Sequence, residues 1–316
     1  MQVNELFSPA GFDDDVWPAL PQAAWSGSCA TLQLWTQIVG KVRLALTPAI
    51  NHTWNVPLYP TVRGLTTSPM PHGKRFLQID FDFIGHVLVL QTSDDKRATI
   101  DLRPMAVATF YQEVMAALDS LETPVRIWRM PVEIAQAVLF DQDLTNRDYD
   151  PEYVNRFWRI LLQSTRVFNV FRSRFTGKVS PIHLFWGALD LACTRFSGRT
   201  APEHPSMAGL PDRVTRDAYS HEFSSCGFWP GAPGVEALFY SYAYPEPPGY
   251  ANSALAPEGA SFNLQLGEFV LPYEQMRHSA DPDSTLLQFL QSTYEAAANG
   301  AHWDRTALEI AAAPAR

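Results

Sequence analysis

The chain has little cysteine, with three residues, Cys29, Cys193 and Cys226, among 316. An odd and scattered set does not form a disulfide framework, so we expect free thiols in a reducing compartment. There is also no uninterrupted run of about 18 apolar residues, and no basic segment precedes an apolar run at the N-terminus. The sequence therefore predicts neither a membrane span nor a signal peptide, and it favours the cytoplasm.

Charged residues are sparse at 18%, and they carry a net charge of −9. An acidic protein repels phosphate backbones, so nucleic acid is not an expected partner. Hydrophobic residues reach 46% and aromatic residues 12%. This composition favours a large buried core over disorder.

The well-known catalytic and nucleotide-binding signatures are missing too. The chain contains no G-x-x-x-x-G-K-[ST], G-x-G-x-x-G, G-x-S-x-G, H-E-x-x-H or C-x-x-C. Their absence disfavours P-loop NTPases, Rossmann dehydrogenases, ordinary α/β-hydrolases and zincins. The sequence indicates no particular cofactor, metal or oligomeric state.

Hydrophobic periodicity predicts an α+β fold. Apolar residues recur at steps of three and four in segments that predict four long helices: Thr31–Leu46, Ala106–Leu121, Pro151–Phe175 and Thr285–Ala298. FLQIDFDF, residues 76–83, alternates strictly and predicts a strand with one buried face. Further short strands with tight turns indicate antiparallel sheets.

The order helix, antiparallel strands, helix occurs twice, which suggests two similar units, and an internal duplication, within one compact protein. Trp35 then corresponds to Trp158, and His52 to His183. We therefore expect four segments: a surface N-terminal segment 1–24, a first unit 25–149, a second unit 150–308 and a tail 309–316.

Several strings resemble a bacterial family of about this length that is known only as a domain of unknown function. They are LWTQIVGKVRLALTP, QIDFDFIGHVL, RIWRMPVEI, FWGALDLACTRFSGR, YSHEFSSCGFWPG, YAYPEP and FLQSTYEAAA. The resemblance covers roughly residues 16–308. It implies a soluble bacterial protein with one continuous domain, and it implies no activity, cofactor or catalytic residue.

Polar residues that could take part in a reaction concentrate in the second unit. SPIHLFWGALDLACTRFSG, residues 180–198, is apolar on both faces and reads as one central strand. Its alternation puts His183 and Arg195 on one face, and Trp186 and Asp190 on the other.

Asp190 is the strongest single candidate on this predicted strand. A covered carboxylate needs a partner or has a raised pKa. One interpretation is a structural aspartate held by an arginine or by backbone amides. The other is a general base or ligand-binding group, which faces a pocket left open by the small residues Ala188 and Ala192.

SHEFSSCGFWPG, residues 220–231, reads as a neighbouring strand with His221 on one face and Glu222 and Cys226 on the other. These three residues cannot share one cavity without a bulge. A zinc site would need His183, and Asp190 as a further ligand, from the strand beside it. A buried histidine is more often a hydrogen-bonded core residue, and His221 lies too far along the strand to activate Cys226.

ALFYSYAYPEP predicts a strand with a row of tyrosines on one face, including Tyr242, followed by a stiff loop that carries Glu246. Such a row is either ordinary cross-strand packing or a pocket wall whose hydroxyls hold a polar ligand.

These patterns leave three functional hypotheses. The first is an enzyme that performs acid–base chemistry on a small polar molecule. Its catalytic candidates are His183, Asp190, His221 and Glu222, and its substrate-binding candidates are Trp186, Arg195, Cys226, Tyr242 and Glu246. The others are a small-molecule binding protein without chemistry and an aromatic-rich assembly module. His52 joins the site only if the two units pack around a common cleft.

Overall fold

The computed structural model describes residues 15–206 and 212–310. These residues form seven α-helices and two antiparallel sheets of six strands each, which confirms the α+β class. The long helices are α1 (Gln22–Leu46), α2 (Val107–Ser120), α3 (Pro151–Arg172) and α6 (Pro282–Gly300). The short ones are α4 (Asp212–Ala218), α5 (Tyr273–Arg277) and α7 (Arg305–Leu308).

The four predicted long helices are confirmed, although α1 begins earlier than predicted. Trp25 and Cys29 extend its buried stripe toward the N-terminus, past the small residues Gly27 and Ser28. Helix α3 begins where the sequence predicts. The Asp150 carboxylate accepts hydrogen bonds from the backbone N–H groups of Glu152 and Tyr153 at 2.9 and 3.3 Å, which caps the helix.

The first sheet lies in the first half of the chain. Its strands are β1 (Tyr59–Thr61), β2 (Gly64–Thr66), β3 (Met70–His72), β4 (Arg75–Asp82), β5 (Val87–Thr92) and β6 (Arg97–Asp101), in the order β1-β2-β4-β5-β6 with β3 also beside β4. In β4, Leu77, Ile79 and Phe81 are buried whereas the residues between them are only partly buried, as the alternation predicts.

The second sheet lies in the second half and has the order β11-β12-β10-β9-β8-β7. Its strands are β7 (His183–Phe185), β8 (Asp190–Thr200), β9 (His221–Trp229), β10 (Leu238–Tyr244), β11 (Ser261–Asn263) and β12 (Glu268–Pro272). Helices α3 and α6 pack on one face, which we call the core face. The opposite face, which we call the cavity face, carries the candidate site.

The prediction of one strand across residues 180–198 is wrong. The chain forms a hairpin in which His183 pairs with Ala192 and Phe185 with Asp190, so His183 and Asp190 share the cavity face. The turn between the strands ends at Leu189, which has a φ of 60°. At its centre is Gly187, where a β-carbon would lie 1.9 Å from the Glu133 carboxylate. A residue without a side chain lets the chain turn beneath that carboxylate.

Each half begins with a long helix, continues with six strands and reaches a second long helix, as predicted, but in the second half α4 interrupts the strands and α5 follows them. Trp35 and Trp158 both lie in the first helix of their half, but His52 lies in a 3₁₀ turn whereas His183 begins a strand. The duplication therefore stays a prediction.

One hydrophobic core extends from Trp17 to Trp303, and the backbones of Leu58 and Leu184 exchange two hydrogen bonds that join the halves. The division at residues 149 and 150 also stays a prediction. Trp17 and Leu20 of the predicted surface segment are buried, and residues 1–14 and 311–316 lie outside the described residues. Within the described ranges, no helix has the length and apolar character needed to cross a membrane.

Candidate functional site

A small cavity of about 110 Å³ lies on the cavity face of the second sheet, and we call it the inner cavity. The segment around His52 and Trp54, from the first half, lies against it together with the end of α4 at Ala218. Its other lining residues are His183, Phe185, Asp190, Ala192, Thr194, Phe196, Tyr219, Phe223, Ser225, Tyr240 and Tyr242. The two halves thus do meet around a common cleft.

Asp190 and Tyr240 form the polar centre of this face. The Tyr240 hydroxyl, on β10, donates a hydrogen bond of 2.5 Å to Asp190 Oδ2, on β8. To reach it, the tyrosine ring crosses β9 directly above Gly227, where a β-carbon would lie 2.3 Å from the Tyr240 hydroxyl oxygen. Gly227 is therefore required for the bond, because no other residue leaves room for the ring.

A second hollow of about 240 Å³, the outer hollow, adjoins the inner cavity. It shares Asp190, Tyr240 and Tyr242 with that cavity and adds Ala188, Trp229, Leu238, Leu266 and Glu268. Its wall is mostly apolar and aromatic, with two carboxylates at Asp190 and Glu268.

Three carboxyl groups in this region have raised pKa values. Burial raises the pKa of Asp190 to about 6, although the Tyr240 hydrogen bond opposes the shift. Burial and the negative charge of Asp190 raise the pKa of Glu268 to about 7, and the same two causes raise that of Glu133 to about 7. The Glu133 residue is exposed as a whole, but its carboxylate lies over Gly187. Groups with pKa values near neutral exchange protons readily at physiological pH.

No positive charge balances this cluster among the described residues. Within the described ranges, none of the three carboxylates forms a salt bridge, and Tyr240 is the only residue whose side chain donates a hydrogen bond to Asp190. Asp190 Oδ1 accepts no hydrogen bond from a described side chain. A carboxylate oxygen that no described side chain engages, beside two hollows, is placed to bind a ligand.

His183 lies in the wall of the inner cavity. Its side chain is 1% exposed, and neither ring nitrogen has a hydrogen-bond partner among the described residues. Burial, with smaller contributions from the charges of Arg43 and Arg172, lowers the pKa of His183 to about 3. The imidazole is therefore neutral and can offer one N–H donor and one acceptor.

His52 closes another side of the cavity. The Lys178 ammonium lies 2.7 Å from His52 Nε2, which must accept that hydrogen bond. Burial and the Lys178 charge hold the pKa of His52 below its ordinary value. The centres of the His221 and His52 rings are 5.6 Å apart. His221 is thus a neighbour of His52, but it is not among the residues that line the cavity.

Only some of the catalytic and substrate-binding candidates named from the sequence lie at these cavities. Asp190 and Tyr242 line the cavities, and His183 lies in the wall.

Arg195 and Cys226 point to the core face, because their positions alternate with those of the cavity-lining residues Thr194 and Ser225. The Arg195 guanidinium lies over the Phe171 ring and donates to the Phe171 carbonyl. These two predicted substrate-binding residues are therefore part of the core.

The remaining predicted residues also lie away from the cavity. The Glu222 carboxylate forms a salt bridge of 2.6 Å with Arg199. The Trp186 indole, in the hairpin turn, donates a hydrogen bond of 2.9 Å to the Val56 carbonyl and packs on Gly40 of α1. Glu246 is exposed in the loop after β10.

The sequence interpretation missed Glu133, Glu268, Tyr219 and Lys178. For Glu268 there was a usable signal. Phe269 pairs with Ser241 in the antiparallel register. Glu268, one residue before Phe269, therefore lies beside Tyr242, one residue after Ser241. The other three lie outside the strands of the second sheet, where a periodic pattern gives no position.

The described residues contain no group of three or more His, Cys, Asp or Glu side chains placed to hold a metal ion. The site is therefore described by its carboxylates, tyrosines and neutral histidines.

The fold and site together define an α+β protein with an acidic, aromatic hollow on one face of its second sheet. A family of unknown function, DUF5996, matches residues 17–310, and the chain belongs to this family. No curated protein and no solved structure matches the chain.

Proposed function

We propose that the protein is an enzyme that transfers a proton on a small polar molecule, with Asp190 as the group that accepts and returns the proton. One observation carries the proposal. Asp190 lines both the inner cavity and the outer hollow, has no cationic partner among the described residues, and receives a side-chain hydrogen bond from Tyr240 alone. A structural aspartate is expected to be saturated by donors, with no cavity beside it.

The arrangement gives each group a role. Tyr240 holds Oδ2 in place, so Oδ1 is left to meet the substrate. With a pKa of about 6, Asp190 is ionised at pH 7 yet basic enough to take a proton. Neutral His183 is available to hydrogen-bond a polar group of the substrate in the inner cavity.

The size of the inner cavity limits the substrate. A cavity of about 150 Å³ accommodates benzene, and the inner cavity is about 110 Å³. The reacting part of the substrate therefore has only a few non-hydrogen atoms, and any larger part extends into the outer hollow.

A binding protein without chemistry is the second candidate, because Tyr240, Tyr242 and Trp229 offer a wall on which a ligand can pack. An assembly module has less support. Of the nine tryptophans, only Trp128 is largely exposed, at 75%.

The test compares wild type with Asp190→Asn in D₂O. Small polar molecules are first selected by the shift that they cause in the melting temperature, and loss of their C–H signals is then followed by proton NMR. We expect wild type to exchange or convert at least one of them, and Asp190→Asn to do so at least about a hundredfold more slowly. The matched control is Asp94→Asn, which alters an aspartate paired with Arg75 on the first sheet.

Two results would count against the enzyme. If Asp190→Asn binds the selected molecules as wild type does and wild type converts none of them, the protein is a binding protein. If Asp190→Asn lowers the melting temperature sharply and leaves the ligand response unchanged, Asp190 is part of the scaffold.

A further inference from the structure

The outer hollow carries negative charge that no cation among the described residues balances. Asp190 and Glu268 both line it, the Glu133 carboxylate lies close enough to Asp190 to feel its charge, and none of the three forms a salt bridge among the described residues. Bringing uncompensated carboxylates together in a partly buried place costs free energy. A ligand that carries a positive charge would recover that cost.

The remaining wall also suits a cation. Tyr240, Tyr242 and Trp229 line the outer hollow, and the Tyr240 and Tyr242 ring centres are 6.2 Å apart. Aromatic ring faces attract ammonium and guanidinium groups, and the attraction is stronger where water is excluded. An anion would be repelled by the carboxylates, and a neutral molecule would leave their charge unbalanced.

His183 supplies an independent sign of a ligand. Its two ring nitrogens are buried and have no partner in the described part of the chain; they lie in the wall of the inner cavity, which shares Asp190 and Tyr240 with the outer hollow. Buried polar atoms are normally hydrogen-bonded, so a polar group of a bound molecule is expected beside His183.

We propose that the natural ligand is a small organic cation, with an ammonium or amidinium group held between Asp190 and Glu268 and with a polar group that reaches toward His183. The assignment rests on the proposed function, since it names the substrate class of the same site. The volume of about 240 Å³ suits a molecule smaller than a typical drug.

The test uses three probes of nearly the same shape: isopentylamine, isopentyl alcohol and isovalerate. Their dissociation constants are measured at pH 8 from amide shifts in protein NMR spectra. We expect the amine to bind at least about tenfold more tightly than the alcohol, and the acid to bind most weakly. Glu268→Gln should weaken binding of the amine about tenfold. Glu113→Gln alters a glutamate on α2 that is paired with Arg103, and it should leave binding of the amine unchanged.

The inference is overturned if the amine does not bind, if the alcohol or the acid binds as tightly, or if Glu268→Gln leaves the constant unchanged. Glu133→Gln is a second variant, expected to weaken binding less, should Glu268→Gln fail to fold. Amine binding without any conversion would support the inference and oppose the enzyme. Conversion of a neutral or anionic molecule at Asp190 would support the enzyme and overturn the inference.

Discussion

Gly227→Ala is expected to destabilise the protein strongly and to break the hydrogen bond between Tyr240 and Asp190. The new β-carbon would lie 2.2 Å from the Leu191 carbonyl oxygen and 2.3 Å from the Tyr240 ring. Because the Leu191 carbonyl is backbone held in the sheet, the Tyr240 ring must move away and the pairing of β8 with β9 must distort. Overpacking of this kind costs about 3 kcal/mol, which lowers the melting temperature of a chain of this length by about 4–5 °C.

Gly85→Ala is the matched control, since its β-carbon would come no closer than 3.3 Å, to a side-chain oxygen of Asp82. The melting temperature of Gly227→Ala should lie below that of Gly85→Ala by most of the lowering expected for Gly227→Ala. Equal melting temperatures would show that the Tyr240 ring does not lie on Gly227.

Asp190→Asn is expected to make the protein more stable than wild type at pH 8 and equally stable at pH 4. The folded-state pKa of Asp190, about 6, lies above its ordinary value of 3.8, so the folded protein binds more protons between these values. Wild-type stability therefore falls as the pH rises from 4 to 6, and the loss is complete above 6. Allowing for the partial exposure of Asp190, the difference at pH 8 is about 1–2 kcal/mol.

The measurement is the free energy of unfolding in urea across this pH range. Asp82→Asn gives a control of opposite sign. Burial opposes the shift, but hydrogen bonds from Gly85, Arg63 and Ile84 hold the pKa of Asp82 below its ordinary value. Asp82→Asn should therefore lose stability at pH 8. A loss for Asp190→Asn at pH 8 would mean that Asp190 is held by donors and is structural.

Much of the fold could be predicted because it depends on local patterns. The long helices carry a continuous apolar stripe, and the start of α3 is set by an aspartate cap followed by Pro151. The alternation in β4 gave the buried face of that strand correctly. Each of these features is determined by residues close together in the chain.

The hairpin at 183–200 could not be found from the same patterns. Its turn residues, Trp186 to Leu189, are as apolar as the strands, because Trp186 fills a gap over Gly40 on α1. Turns are normally recognised by polar residues, glycine and proline. The one available signal was Gly187, and its role depends on Glu133, which lies far away in the chain.

The candidate site was only partly predictable for a similar reason. Asp190 was identified from its own surroundings, as a carboxylate within an apolar segment. The positions of His52 and Glu133 beside it depend on how the first half packs on the second. Once the hairpin was read as one strand, alternation put Trp186 on the Asp190 face and His183 on the opposite one, and both assignments were wrong.

The central claim is that Asp190 is a carboxylate kept without a cationic partner beside an open hollow. A ¹³C NMR titration of the side-chain carboxyl carbons tests it most directly, with Asp190→Asn used to assign the signal. The account predicts a midpoint near pH 6 for Asp190. A midpoint at or below about pH 4, the ordinary range for an aspartate, would contradict it.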